Sequence, residues 1–332
     1  MRDTSTVKPR ASLSLDLDNE WAYLKTQGEK GWESFPSYLP DAVPKILECL
    51  EERKLKATFF VVGKDAELEG NHEALRQVSD ANHEVANHSY MHEPWLQNYS
   101  EEELNIELDR SESAIKSATG VSPKGWRGPG FSGSATLRRL LCRRGYQYDA
   151  STFPTFLGFI ARTYFFLNSD LPKEEKKERA GLYGSFRDGF LSLKPFVWQT
   201  EEGELLEIPV STMPIVKAPI HASYLLFLAR YSEGLALAYL KTALWLHRLF
   251  RVEPSFLLHP TDFLGGDEVP SMKFFPAMDL DGEKKRAFMR RVLGALADRF
   301  EVLPMGQYCD QLYMKSLPVK VEIGEALVPQ LA

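Results

Sequence analysis

Two aspartates, Asp16 and Asp18, close an alternating stretch that runs from Ala11 to Asp18. Leu13, Leu15 and Leu17 fall on one face of a period-two pattern, and Ser12, Ser14, Asp16 and Asp18 fall on the other. That is the signature of a β-strand with one apolar face. At a rise of roughly 3.3 Å per residue, the two carboxylates stand on Cα atoms about 7 Å apart. Like charges that close in a cleft raise one another's pKa unless a cation sits between or beside them. The strand end therefore calls for a positive partner.

The segment His83–His92 holds three of the seven histidines. His88 and His92 are four apart, so a helical turn would aim both imidazoles one way and let them chelate one ion. Such a pair alone is common on surfaces. It gains weight here because it follows a strand, His83–Asn87, and parallel sheets gather their sites at the C-terminal strand edges. Two imidazoles and one carboxylate make a three-ligand site with positions left for water and substrate, a set that suits zinc and also non-haem iron. His83 enters its strand at the far end and reads as structural.

Arg127 and His259 occupy the same kind of position. Arg127 ends a short strand and precedes Gly128–Gly130, a turn whose amides could face an oxyanion. His259 ends the apolar strand Ser255–Leu258 and is a candidate general acid. Together these groups suit amide hydrolysis. A divalent cation lowers the pKa of water from 15.7 towards about 7 and polarises a carbonyl. Asp16 would take the water's proton, a backbone N–H near Gly130–Phe131 would help hold the oxyanion, and His259 would protonate the leaving amine.

The ordered set Asp16-x-Asp18, His88-Ser89-x-x-His92, Arg127-x-Pro129, Asp149 and Leu257-x-His259 resembles the five motifs of the polysaccharide deacetylases (the NodB homology, carbohydrate esterase family 4). The resemblance spans roughly residues 11–262. It implies a distorted (β/α)7-type barrel, hydrolysis of an N-acyl group, expected to be N-acetyl, from an amino sugar, and a divalent metal, expected to be Zn2+. By that resemblance Asp18, His88 and His92 bind the metal and Asp16 is the base. Arg127 buttresses the base, Asp149 orients the acid, and His259 is the acid. Asp262 is a stand-in for Asp149, because the fourth motif, Tyr148–Phe153, lacks the usual tryptophan. A non-catalytic carbohydrate-binding relative is the reading from another class; such a protein would lose the base or the acid, and both are present.

The elements that must position these residues alternate along the chain. Helical spacing over Asp41–Arg53, an apolar run Ala57–Val62, a short helix Glu73–Ala81, a capping box at Ser100–Glu103 opening a helix to Thr119, and brief strands at Gly125–Arg127 and Tyr146–Ser151 form successive βα units. Asn19–Pro36 reads as a loop carrying Trp21, Tyr23, Trp32 and Phe35. From Thr155 the rhythm breaks. Phe156–Ile160 and Tyr164–Leu167 are apolar, Lys173–Arg179 is a charge run, and Ser223–Phe250 is one long apolar helical stretch. Further on come a strand at Glu204–Val210, a helix over Asp281–Phe300, a last strand at Glu301–Pro304 and a closing helix at Gln307–Met314. The expected organisation is α/β, a barrel of residues 11–154 and 204–316 with helical insertions at 155–203 and 219–250 and a tail at 317–332.

At 332 residues the chain can bury a full core, and 44% hydrophobic with 26% charged residues is ordinary for a globular protein. A net charge of −6 argues against a nucleic-acid surface. Cys49, Cys142 and Cys309 are scattered and odd in number, as for thiols in a reducing compartment. No apolar run near the N-terminus suits a signal peptide, and no 18-residue uncharged apolar stretch occurs. The expectation is a cytoplasmic protein. The apolar stretch 223–250 adds the alternative of a peripheral enzyme on the inner membrane face, acting as deformylase or deacetylase on a lipid-linked (undecaprenyl) sugar.

Overall fold

The computed structural model describes residues 8–156, 186–312 and 314–321. Its strands are β1 (Arg10–Asp16), β2 (Thr58–Val61), β3 (Glu84–Asn87), β4 (Gly125–Trp126), β5 (Tyr148–Asp149), β6 (Phe196–Thr200), β7 (Gly203–Glu207), β8 (Ser255–Leu258), β9 (Glu301–Leu303) and β10 (Val319–Val321). The helices are α1 (Glu20–Gln27), α2 (Leu39–Glu51), α3 (Gly63–Glu67), α4 (His72–Asp80), α5 (Glu101–Thr119), α6 (Ala135–Arg143), α7 (Ala222–Ala229), α8 (Glu233–Leu249), α9 (Gly282–Ala297) and α10 (Met305–Asp310).

Strands β7-β5-β4-β3-β2-β1-β8 lie side by side and parallel, with β6 antiparallel outside β7 and β10 outside β6. The segment after β7 then reaches β8, where the Ser211 amide donates to Ser255 O at 3.0 Å. That bond closes seven strands into the expected distorted (β/α)7-type barrel. β9 pairs with the first half of β1, and Met305 beyond it enters the interior, donating its amide to Thr58 Oγ1 at 2.7 Å.

The pleat sorts the side chains. Leu13, Leu15 and Leu17 face outward into the main core with Phe59 and Val61, beneath α2 and α9. Phe60, Ala86, Tyr148, Leu206 and Met305 fill the interior. Serine and aspartate on the other face of β1 thus point at the barrel axis, and a polar strand face becomes the floor of a cleft.

Several boundaries differ from expectation. Residues 20–27 form a helix rather than a loop: Asn19 Oδ1 accepts the Glu20 amide at 2.8 Å and Gly28 ends the helix in the left-handed region at φ 80°. The stretch 223–250 is two helices, broken at Arg230–Ser232, where Ser232 caps α8. Their apolar faces (Leu225, Leu226, Leu240, Leu244) join the main core. β6 and β10 carry too little alternation to be read from sequence. Tyr164–Leu167, Lys173–Arg179 and most of Phe156–Ile160 lie outside the described residues. No described helix is long and apolar enough to cross a membrane.

Candidate active site

Asp18 Oδ1 lies 3.2 Å from His88 Nε2 and 3.0 Å from His92 Nε2. One ligand atom from each of the three falls within 4.8 Å of the others. The loop that achieves this is not helical. Ser89 and His92 both sit in the left-handed region, at φ 62° and 51°, which side-chain-bearing residues seldom adopt. Ser89 Oγ accepts the His92 amide at 3.1 Å, and buried Glu107 accepts the amides of Tyr90 and Met91 at 2.8 and 3.2 Å.

The donor chemistry fits a divalent ion. His88 Nδ1–H donates to Arg127 O at 2.7 Å, which fixes the proton on Nδ1 and leaves the Nε2 lone pair towards Asp18. Asp18 is buried, which alone would raise its pKa, but His92 and His88 outweigh that and hold it well below the ordinary carboxylate value. Burial opposes a charge on His88, while Asp16 and Asp18 raise its pKa. The Asp18 main chain is pinned by Tyr38, whose hydroxyl donates to Asp18 O at 2.6 Å, and Tyr23 OH donates to Asp18 Oδ2 at 3.3 Å.

Asp16 has a different set of neighbours. Arg127, fully buried over the Phe60 ring, donates through Nη1 to Asp16 Oδ1 at 2.5 Å and Ser14 Oγ at 3.0 Å, and through Nε to Ala150 O at 3.0 Å. The other oxygen, Oδ2, stands 4.0 Å from both His88 Nε2 and His259 Nε2. One carboxylate oxygen is thus tied down and the other faces the cleft between His88 and His259. In the following turn, the Gly128 amide donates to Ser151 Oγ and the Phe131 amide to Gly128 O. Both amides are therefore spent, which narrows the oxyanion donor expected near Gly130–Phe131.

His259 is oriented by α7 and by its own loop. Ser223 Oγ donates to Asp262 Oδ1 at 2.7 Å, so its lone pair is left to accept Nδ1–H of His259 at 3.2 Å. Asp262 Oδ2 accepts the His259 amide at 2.7 Å and lies 3.9 Å from Nδ1. Burial raises the Asp262 pKa against the pull of His259 and of buried Lys285.

Asp149 is not brought to this group. Tyr148 points inward, so the next residue points outward: Asp149 Oδ1 accepts from Ser151 N and Oγ at 3.0 and 2.5 Å, beside Arg138 and Glu207. Burial raises its pKa, and pushes neighbouring Glu207 to about 8. The place expected for Asp149 beside His259 is taken by Asp262. His83, as expected, is structural: Nδ1 accepts the Ala57 amide at 3.1 Å. Of the aromatics between 19 and 36, Trp21 is buried and donates Nε1–H to Asp65 Oδ1 at 2.8 Å; Tyr23 alone of the four reaches an Asp18 oxygen.

The profile of the polysaccharide deacetylase family matches residues 29–148, which take in His88, His92 and Arg127. The chain is 32% identical over 109 residues to a peptidoglycan deacetylase of Helicobacter pylori, covering 33% of this chain and 36% of that protein. To a chitin deacetylase of Amylomyces rouxii it is 36% identical over 82 residues, covering 25% of this chain and 19% of that protein. The chain resembles the polysaccharide deacetylases. It spans about a third or less of the length of these two deacetylases. A Mycobacterium smegmatis crystal structure assigned to the polysaccharide deacetylases shares the fold, with a TM-score of 0.58 and 21% identity over 98% of this chain and 96% of that one.

Sequence reasoning named Tyr23 only as one of four loop aromatics and missed Tyr38, Glu107 and Ser223, all neighbours of this candidate site. The capping pattern at Asn19 would have placed Tyr23 on the first turn of a helix leaving Asp18. The other three act across long sequence separations and left no local signal.

Proposed function

We propose that this chain is a metal-dependent hydrolase that removes an N-acyl group, N-acetyl first, from an amino sugar or glycan. The observation that carries the reading is the division of labour at one strand end: Asp18 against His88 and His92, and Asp16 with one oxygen held by Arg127 and the other facing His259. Asp18, His88 and His92 would hold a divalent ion, zinc by donor type, which lowers the pKa of water and polarises the acyl carbonyl. Asp16 accepts a proton through Oδ2, while Arg127 keeps its other oxygen from turning away. His259, held through Nδ1 by Ser223, delivers a proton from Nε2 to the leaving nitrogen. A binder that had lost chemistry would not keep this base and acid facing one another.

The test is mass spectrometry of N-acetylated and N-formylated amino sugars, free, nucleotide-linked and lipid-linked, after incubation with zinc-loaded protein. Loss of the acyl mass that disappears with Asp16→Asn supports the reading; no loss from any of them, with metal bound stoichiometrically, overturns it.

A lipid-linked substrate at the inner membrane face is favoured by one further observation. Tyr231, Leu235, Trp245 and Leu249 on and before α8 are 57–75% exposed, which is unusual for large apolar side chains at helical spacing. Liposome flotation that is lost in Trp245→Glu and Leu249→Glu would support it, and wild-type protein that never floats would end it.

A further inference from the structure

A cavity of about 420 Å³ opens where β1, β8 and β9 begin, lined by Pro9, Val252 and Phe300 at those strand starts. The metal ligands follow the opposite ends of β1 and β3. The seven residues of β1 alone put roughly 20 Å between the two places. The cavity is therefore no extension of the catalytic cleft.

Its chemistry is one-sided. Lys194, Arg248 and Arg251 line it, and none is within ion-pair distance of a carboxylate among the described residues. Its one acid, Glu253, is already neutralised by Arg10 Nε at 2.9 Å. Most other described arginines carry a carboxylate, whereas Arg248 and Arg251 do not, in a chain that is acidic at −6. All three are exposed, so solvent screens their mutual repulsion at the rim of a space walled by buried Phe300 and Tyr308. An anion between them relieves it.

We propose that this cavity is a second binding site, for a phosphate-class anion gripped by the Arg248 and Arg251 forks with Lys194 as a point charge. Guanidinium pairs suit tetrahedral oxyanions through paired N–H donors. The volume exceeds that of a single inorganic ion and is within the range of small-ligand sites, so the phosphate is expected to be carried by a larger molecule. The proposal does not depend on the hydrolase reading.

The phosphate has two sources, a soluble ester or a lipid headgroup, and the experiment separates them. Zinc-loaded full-length protein is titrated calorimetrically with pyrophosphate at constant ionic strength. It is also floated with phosphatidylcholine vesicles with and without phosphatidylglycerol. The comparison is with Arg248→Gln/Arg251→Gln, checked for an unchanged melting temperature, and with Lys273→Ala as an exposed control. Pyrophosphate binding at least tenfold weaker in the double variant and intact in the control supports a soluble ligand. Flotation on anionic vesicles alone, lost in the double variant, supports a headgroup. Binding in neither arm, binding unchanged in the double variant, or binding abolished by Asp18→Asn (which would place the anion on the metal) overturns the proposal. If the double variant melts early, Lys194→Ala replaces it, with the same outcomes.

Discussion

Asp16 ends β1 and Asp18 lies two residues beyond it, and the two differ in what reaches them. Asp18 meets two imidazole nitrogens; Asp16 meets a guanidinium on one oxygen and open cleft on the other. Asp16→Asn is therefore expected to keep a full equivalent of zinc by elemental analysis while turnover falls by about 10²–10⁴. His88→Ala or His92→Ala should instead strip the metal, with turnover lost in proportion to the zinc. At His259 the hydrogen-bond direction argues that Ser223 fixes the tautomer. Ser223→Ala should shift the pH–rate profile and lower kcat more than it changes KM, and Ser223→Thr should recover part of the loss. A profile identical to wild type would leave Ser223 no positioning role. The residues named from sequence were the ones at strand ends, where an alternating pattern stops on a polar side chain. Asp149 came only from the family resemblance: a two-residue strand gives no alternation from which to read which way it faces, whereas buried Tyr148 beside it settles the question once the barrel is seen.

Helices and loops hold the site by close approach. α3 crosses α5 at Gly63, where an added Cβ would lie 2.6 Å from the Ser111 Cα. Asp65, on α3, takes both the Asn19 amide group at 2.7 Å and the Trp21 indole, so that crossing anchors the helix leaving Asp18. Gly63→Ala is expected to cost about 1–3 kcal/mol in urea denaturation and to weaken zinc retention as well. At the start of α5 the reciprocal Ser100–Glu103 box is complete, and Ser100→Ala should cost about 1 kcal/mol with no effect on zinc. That box was legible because capping is local. The division of 223–250 into two helices was less so, because Arg230–Ser232 reads as polar surface on a continuous helix as easily as a break. β6 and β10 were illegible, since short strands at the margin of a sheet owe their place to pairing partners rather than to their own pattern.

Across the molecule, titration of buried groups sets how acid affects folding. His83 accepts the Ala57 amide at Nδ1 and must be neutral to do so, and burial pushes its pKa down to about 4. The unfolded chain takes up this proton near pH 6.5 and the folded chain only near 4, so stability falls as pH drops through that window. His83→Gln should flatten the urea midpoint between pH 6.5 and 4, an outcome a surface histidine would not give. The closing contact of the barrel has another consequence. Where the other neighbouring strands share ladders, β8 meets the chain beyond β7 through the Ser211 amide and the Ser255 amide to Ser211 Oγ. Deuterium should therefore enter at Ser211 and Ser255 long before it enters the middle of β1 and β2. Because β8 stays laddered to β1 over Ser255–Leu258, each such parting of the staves leaves His259 beside Asp16, so the proposed acid and base would keep their spacing while the far wall breathes.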